Sequence, residues 1–190
     1  MARPPLVQVE PGEVIAIPLF LTSEPVLTRF RADAFRDRGD EFAFCRVIED
    51  RRGSGIIVEV FDHVGGLDAA IADVVAADRL FPPVAITGLG IHKRRWRRVG
   101  TCEPYDRERD SGYSTIQLVL SPYDRPRLWQ DGVETPIDVE TAKGYESWRV
   151  WSADHLETRI VEALGHPSSS AADRRRGTGP EPDRAVATAP

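Results

Sequence analysis

The run EFAFCRVIEDRRGSGIIVEVFD, residues 41–62, decides the fold. In residues 41–50, Phe42 and Phe44 alternate with smaller neighbours, the period of a half-buried strand. Residues 56–62 hold Ile56, Ile57, Val58, Val60 and Phe61, side chains that favour extended backbone. The RRGSG link between the two runs contains Gly53 and Gly55. Strand-forming runs joined by so short a glycine-bearing link read as a β-hairpin.

Towards the N-terminus, residues 13–21 (EVIAIPLFL) form another strand run, opened by the turn pair Pro11-Gly12. Pro18 has no amide donor, so it places this strand at a sheet edge or ends it. Residues 22–40 read as an insertion with a helical turn or two, Pro25 sitting in a first turn near Ser23 or Glu24. Towards the C-terminus, Leu67, Ile71, Val74 and Val75 recur on one helical face and predict a helix over 67–78. Residues 84–91 (VAITGLGI) read as a strand bent at Gly88 and Gly90. Residues 94–102 read as the next strand, with Trp96 and Arg98 on one face and Arg95, Arg97 and Val99 on the other.

Residues 104–114 (PYDRERDSGYS) read as polar loop, and residues 114–121 as a strand with Ile116, Leu118 and Leu120 on one side. Asp131-Gly132 marks a second hairpin turn, and residues 144–152 add a short extended piece. Ser152 opens a last helix whose stripe is Leu156, Ile160, Val161 and Leu164, closed by Gly165 and Pro167. The class is α+β and β-rich, a bent antiparallel sheet or partly open barrel with two packed helices. Residues 1–166 form a single domain. Residues 167–190 are Ser, Ala, Gly, Pro and charge, too poor in apolar surface to offset ordering entropy, and read as a disordered tail.

The chain of 190 residues carries 25 basic and 30 acidic side chains, a net −5. The tail's four arginines and three acids leave the body at −6. That balance weighs against a general nucleic-acid binder. It leaves room for a partner of basic character. Cys45 and Cys102 are too far apart for a zinc pair and too few for a disulfide scaffold, so both are expected reduced and partly buried. His63, His92, His155 and His166 have no neighbouring His or Cys at ligand spacing, so neither a metal nor a cofactor is expected. No nucleophile elbow, phosphate loop or dinucleotide fingerprint is present, which weighs against an enzyme. An unrecognised site beside the 67–78 helix is the catalytic alternative. The opening residues MARPPLVQVEPGEV lack a long apolar run, and no stretch approaches eighteen apolar residues. A cytoplasmic protein without a membrane partner is expected.

Two charge clusters stand out. HKRRWRR, residues 92–98, sets basic residues around an aromatic, so Lys93, Arg95, Trp96 and Arg97 are the candidate strip for a small β-barrel nucleic-acid binder. The competing reading turns Trp96 inward and leaves the arginines to lie along the surface or pair within the chain. Glu49, Asp50, Glu59 and Asp62 flank the hairpin and form either a solvated rim or a surface matched to a basic partner.

The order of these pieces resembles the immunity protein 26 family of bacterial polymorphic toxin systems. The matching residues are Gly12, Ile17, Pro18 and Leu19, then Phe42, Phe44, Arg46 and Val47, then Phe61 and Asp62, then Trp96 and Gly100. The resemblance spans residues 10–101. Arg94 and Arg95 depart from the Gly-Lys pair expected before the tryptophan, and residues 22–40 lengthen the first connection. The resemblance implies a non-catalytic protein that binds and neutralises a cognate toxin encoded beside it. Glu49, Asp50, Glu59 and Asp62 are then the expected toxin-facing acids.

Overall fold

The computed structural model describes residues 8–22 and 30–165. The 41–62 hairpin forms as the sequence predicts and occupies the middle of a six-stranded sheet. That sheet contains β1 (Glu13–Pro18), β2 (Phe42–Asp50), β3 (Ile56–Gly65), β4 (Val84–Ile86), β5 (Arg97–Thr101) and β10 (Val150–Trp151), in the order β10-β4-β3-β2-β1-β5. A second sheet has β6 (Gln117–Leu120), β7 (Arg127–Gln130), β8 (Val133–Pro136) and β9 (Glu146–Ser147), in the order β8-β7-β6-β9. The helices are α1 (Ile71–Ala76), α2 (Leu89–His92), α3 (Arg107–Ser111), α4 (Val139–Ala142) and α5 (Ala153–Gly165). Pairing is antiparallel except for β10 on β4 and β9 on β6. The protein is thus α+β as expected. Its strands divide into two sheets and do not close into a barrel.

Burial on both faces corrects the half-buried reading of β2. Ala43, Cys45 and Val47 pack with Val58, Val60, Trp96, Leu156 and Ile160 on one side. Phe42 and Phe44 pack with Phe20, Phe35, Phe61 and Val74 on the other. Near the turn, Ile48 and Ile57 meet Tyr113, Ile116, Leu118 and Trp129 of the second sheet's cluster. Period-2 alternation therefore sorts large from small side chains here, where both faces are covered. Pro18 ends β1, which lies inside the sheet between β2 and β5.

Several elements are shorter than their apolar runs. The 67–78 helix contracts to α1, because β3 continues to Gly65 and a turn follows it. Val74 is fully buried there, and apolar side chains fill the space beside the sheet in which a catalytic site was the alternative. The 84–91 strand stops at Ile86, and Gly88 opens α2. A Cβ on Gly90 would lie 2.9 Å from the Trp96 ring, so the glycine lets the indole pack flat on the turn. The 104–114 loop contains α3, capped by Asp106, whose carboxylate accepts from the Glu108 and Arg109 amides. The 144–152 piece splits into β9 and β10, one in each sheet. Residues 23–29, including Pro25, and His166 with the tail lie outside the described residues.

Gly12 joins three segments. Its amide donates to the Val47 carbonyl at 2.8 Å, and its carbonyl accepts from the Cys102 amide at 2.9 Å. Its φ is +88°, and a Cβ would stand 2.7 Å from Tyr105 Cβ and 3.1 Å from the Cys102 carbonyl. Positive φ with no space beside the Cα costs about 1–3 kcal/mol even before the clash relaxes. Gly12→Ala is therefore expected to lower unfolding free energy by at least about 2 kcal/mol, read from the urea midpoint at unchanged slope. A midpoint equal to wild type would show that this turn tolerates a side chain.

Candidate functional site

Arg46 and Glu59 stand directly opposite each other across β2 and β3. Both are buried, at 3% and 1% exposure. Arg46 Nε donates to Glu59 Oε1 at 2.8 Å. Arg79 Nε donates to Glu59 Oε2 at 2.7 Å. The Ser111 hydroxyl donates to Oε1 at 2.6 Å, and Tyr105 and Ser111 share a 2.8 Å hydroxyl contact. The two guanidiniums carry one more charge than the single carboxylate balances, and backbone oxygens take up the excess. Arg46 donates to the Asp110 carbonyl at 2.7 Å, and Arg79 to that of Ser111. The hub thereby fastens α3 to the central hairpin. It also acts on Cys45, whose thiol is pushed up to about 12, first by burial and then by Glu59.

A second hub holds α5. Glu157 is fully buried. It accepts from Arg95 Nε at 2.7 Å, from Trp96 Nε1 at 2.8 Å and from a second Arg95 nitrogen on its other oxygen. That hydrogen bonding raises the Arg95 pKa. Arg159 of α5 then grips Glu146 of β9 at 2.9 and 2.7 Å, so one helix ties both sheets together.

These contacts redistribute the residues singled out in the sequence. Trp96 points inward and precedes β5 rather than lying in it, so its indole cannot stack on a base. Arg95 is committed to Glu157. Arg97 lies 4.0 Å from the Phe35 ring and donates to the Phe30 carbonyl. Arg98, beyond the strip, pairs with Glu13 at 3.0 Å. Lys93 and Arg94 are exposed. The arrangement matches the reading in which the arginines pair within the chain. Among the acids, Asp50 and Asp62 are exposed and Glu49 is half-buried at the hairpin end. Glu59 is not a surface group, because its carboxylate is spent on Arg46, Arg79 and Ser111. The sequence reading missed Arg79, Ser111 and Glu157. A carboxylate within the apolar stripe of α5 was the available sign for Glu157.

Near Glu49, the Tyr113 hydroxyl donates to the carboxylate at 2.7 Å. Burial first, and this hydrogen bond next, raise the Tyr113 pKa. A cavity of about 970 Å³ is lined by Leu21, Phe30, Thr87, Leu89, Lys93 and Asp154. The Asp154 carboxyl is held below its ordinary range, first by the Ser152 hydroxyl. Among the described residues, no group of three or more His, Cys, Asp or Glu is placed to hold a metal, and no helix is long and apolar enough to cross a membrane.

The class these features define is a two-sheet α+β scaffold whose buried carboxylates Glu59 and Glu157 are held by arginines. A family model described as Immunity protein 26 matches residues 10–125. The chain belongs to the immunity protein 26 family, and membership makes it an immunity protein against a toxin. The match runs past β5 through α3 and β6, beyond the residues 10–101 that carry the resemblance. No curated protein matches, and no solved structure does.

Three measurements probe the site. Glu59→Gln leaves two guanidiniums short of their counter-charge, and removing one partner of a buried pair costs about 3–5 kcal/mol. A loss of that order in chemical denaturation is expected, against under about 1 kcal/mol for the exposed Asp62→Asn. A disulfide thiol reagent should titrate the half-exposed Cys102 in the native protein and reach Cys45 only on unfolding. Prompt reaction of both would contradict the buried, raised thiol.

Asp110 gives a pH signature. Arg109 hydrogen bonding, then the Asp106 amide, lower its pKa from 3.8 to about 2. Because the folded value is depressed, its stabilising contribution is present above 3.8 and is lost as pH falls through about 2. A carboxyl-carbon NMR titration should show the midpoint near 2, and Arg109→Ala should move it towards 3.8.

Proposed function

We propose that this protein binds a cognate toxin domain, encoded in the adjacent gene, and neutralises it in the cytoplasm by occlusion without catalysis. The observation that carries the reading is the family match over residues 10–125. The electrostatics support it. A chain of net −5 is drawn towards a basic cleft such as that of a nucleic-acid-cleaving toxin, which speeds encounter. Glu49, Asp50 and Asp62 are the proposed contact acids. Glu59 contributes from inside by fixing the hairpin that presents them. A stable complex buries about 1,200–2,000 Å² and is anchored by a few aromatic and arginine side chains.

The test is co-expression of this chain with the toxin domain of the neighbouring reading frame. The expected result is restored growth and a one-to-one complex on size-exclusion chromatography. Asp50→Lys with Asp62→Lys should slow association by about tenfold or more at low salt. Absence of both protection and complex would sink the proposal. Salt-sensitive binding to an oligonucleotide, measured at low ionic strength, would favour a nucleic-acid binder instead.

A further inference from the structure

The hairpin end carries an arrangement that neither buried hub uses. The Arg51 guanidinium carbon lies 5.1 Å from the Trp129 ring centroid and 5.4 Å from that of Trp148. The two indoles meet edge to face at 5.0 Å, and Tyr113 stands edge-on to Trp129 at 5.9 Å. Trp148 is held by its indole N–H, which donates to the Ser54 carbonyl at 3.2 Å. Glu49 closes the rim. Its hydrogen bond from Tyr113 is short, but Arg51 and Arg107 reach it only at 3.4 and 3.5 Å.

Aromatic faces beside a carboxylate form a recess for a cation, and a planar guanidinium both stacks on indole and bonds a carboxylate bidentately. The recess already holds such groups, Arg51 beside the two indoles and Arg107 at 4.0 Å from the Tyr113 ring. Arg51 shows what chemistry fits, and two features make it replaceable. It hangs from the hairpin turn rather than from the ladder, and its contact with Glu49 is long enough to leave that carboxylate room for a shorter partner. The Arg51 and Glu49 side chains are 31% and 26% exposed, so the recess reaches solvent at this rim, above Trp129 and Tyr113 walls that are 2% and 4% exposed.

We propose that the Trp129–Trp148–Tyr113–Glu49 recess is a guanidinium-binding site, with Arg51 as its resident occupant and an arginine of the toxin as its exchange partner. The identity of the partner rests on the immunity reading, whereas the chemistry of the recess does not. Exchange lets the free protein keep its aromatic rings covered, and the incoming arginine gains by making the bidentate contact that Arg51 does not.

The experiment uses the full chain and N-acetyl-arginine methylamide as probe, followed by the indole N–H resonances in NMR. Arg51→Ala clears the two indole faces and leaves Arg107 over Tyr113. The variant should bind the probe saturably, at least about tenfold more tightly than wild type, and shift the Trp148 and Trp129 signals. N-acetyl-lysine methylamide should bind more weakly, and adding Glu49→Gln should abolish saturation. A folded Arg51→Ala protein that gives no saturable response overturns the proposal. So does a response indifferent to Glu49→Gln, which would be unspecific stacking. If Arg51→Ala loses its cooperative melt, Arg51→Gln carries the same test. A negative result leaves the toxin reading standing, since a complex can form through other surfaces. Failed protection with positive probe binding leaves the recess without that partner.

Discussion

The Glu59 carboxylate, shared by Arg46, Arg79 and Ser111, is the constraint on which the rest of the structure depends. Taking charges out of water costs several kcal/mol per ion even after the protein relaxes. The cost is offset only because every oxygen and nearly every nitrogen in the hub finds a partner at good geometry. Satisfaction of that kind specifies position. Arg46 meets Glu59 in one register of β2 on β3, and a one-residue slip would turn one charge into an apolar layer. The same carboxylate draws α3 in through Ser111, so the start of the second sheet is located by a side chain of the first.

This way of placing charge bears on function. Arg46, Arg79, Arg95 and Arg159 are turned inward onto three carboxylates, Glu59, Glu157 and Glu146. Four positive charges against three negative ones lie in these networks, so the remaining surface is one unit more acidic than the net charge. A rigid frame with an acidic exterior keeps the entropy cost of association low and the potential fixed in direction.

The sequence was legible where the signal was local. The 41–62 hairpin, the Asp131-Gly132 turn and α5 are each written within one short contiguous run as alternation, a turn dipeptide or a helical stripe. Reading failed where an apolar run served two elements. Val84 to Ile91 is continuous in hydrophobicity, yet the chain leaves the sheet after Ile86, because Gly88 and Gly90 let it turn under the Trp96 ring. The separate second sheet was not visible either. Its strands β6 to β9 have ordinary strand composition, and only the packing of Ile48 and Ile57 on Trp129 and Leu118 reveals that they form a distinct layer. Glu59 was visible as an acid but not as a buried one. Its fate depends on Arg79, twenty residues away.

The basic run around Trp96 shows the same limit at the level of function. Arginines flanking an aromatic are equally suited to phosphate contact and to a buried ion pair, because both uses exploit the same planar donor set. What separates them is the location of the anion. Here it is Glu157, 62 residues from Arg95, brought in by the docking of α5. With that carboxylate fully buried against both the indole N–H and the Arg95 guanidinium, releasing Trp96 to stack on a base would leave it one hydrogen bond short in the core. The cost of that lost hydrogen bond, rather than the composition of the run, assigns Arg95 and Trp96 to the scaffold.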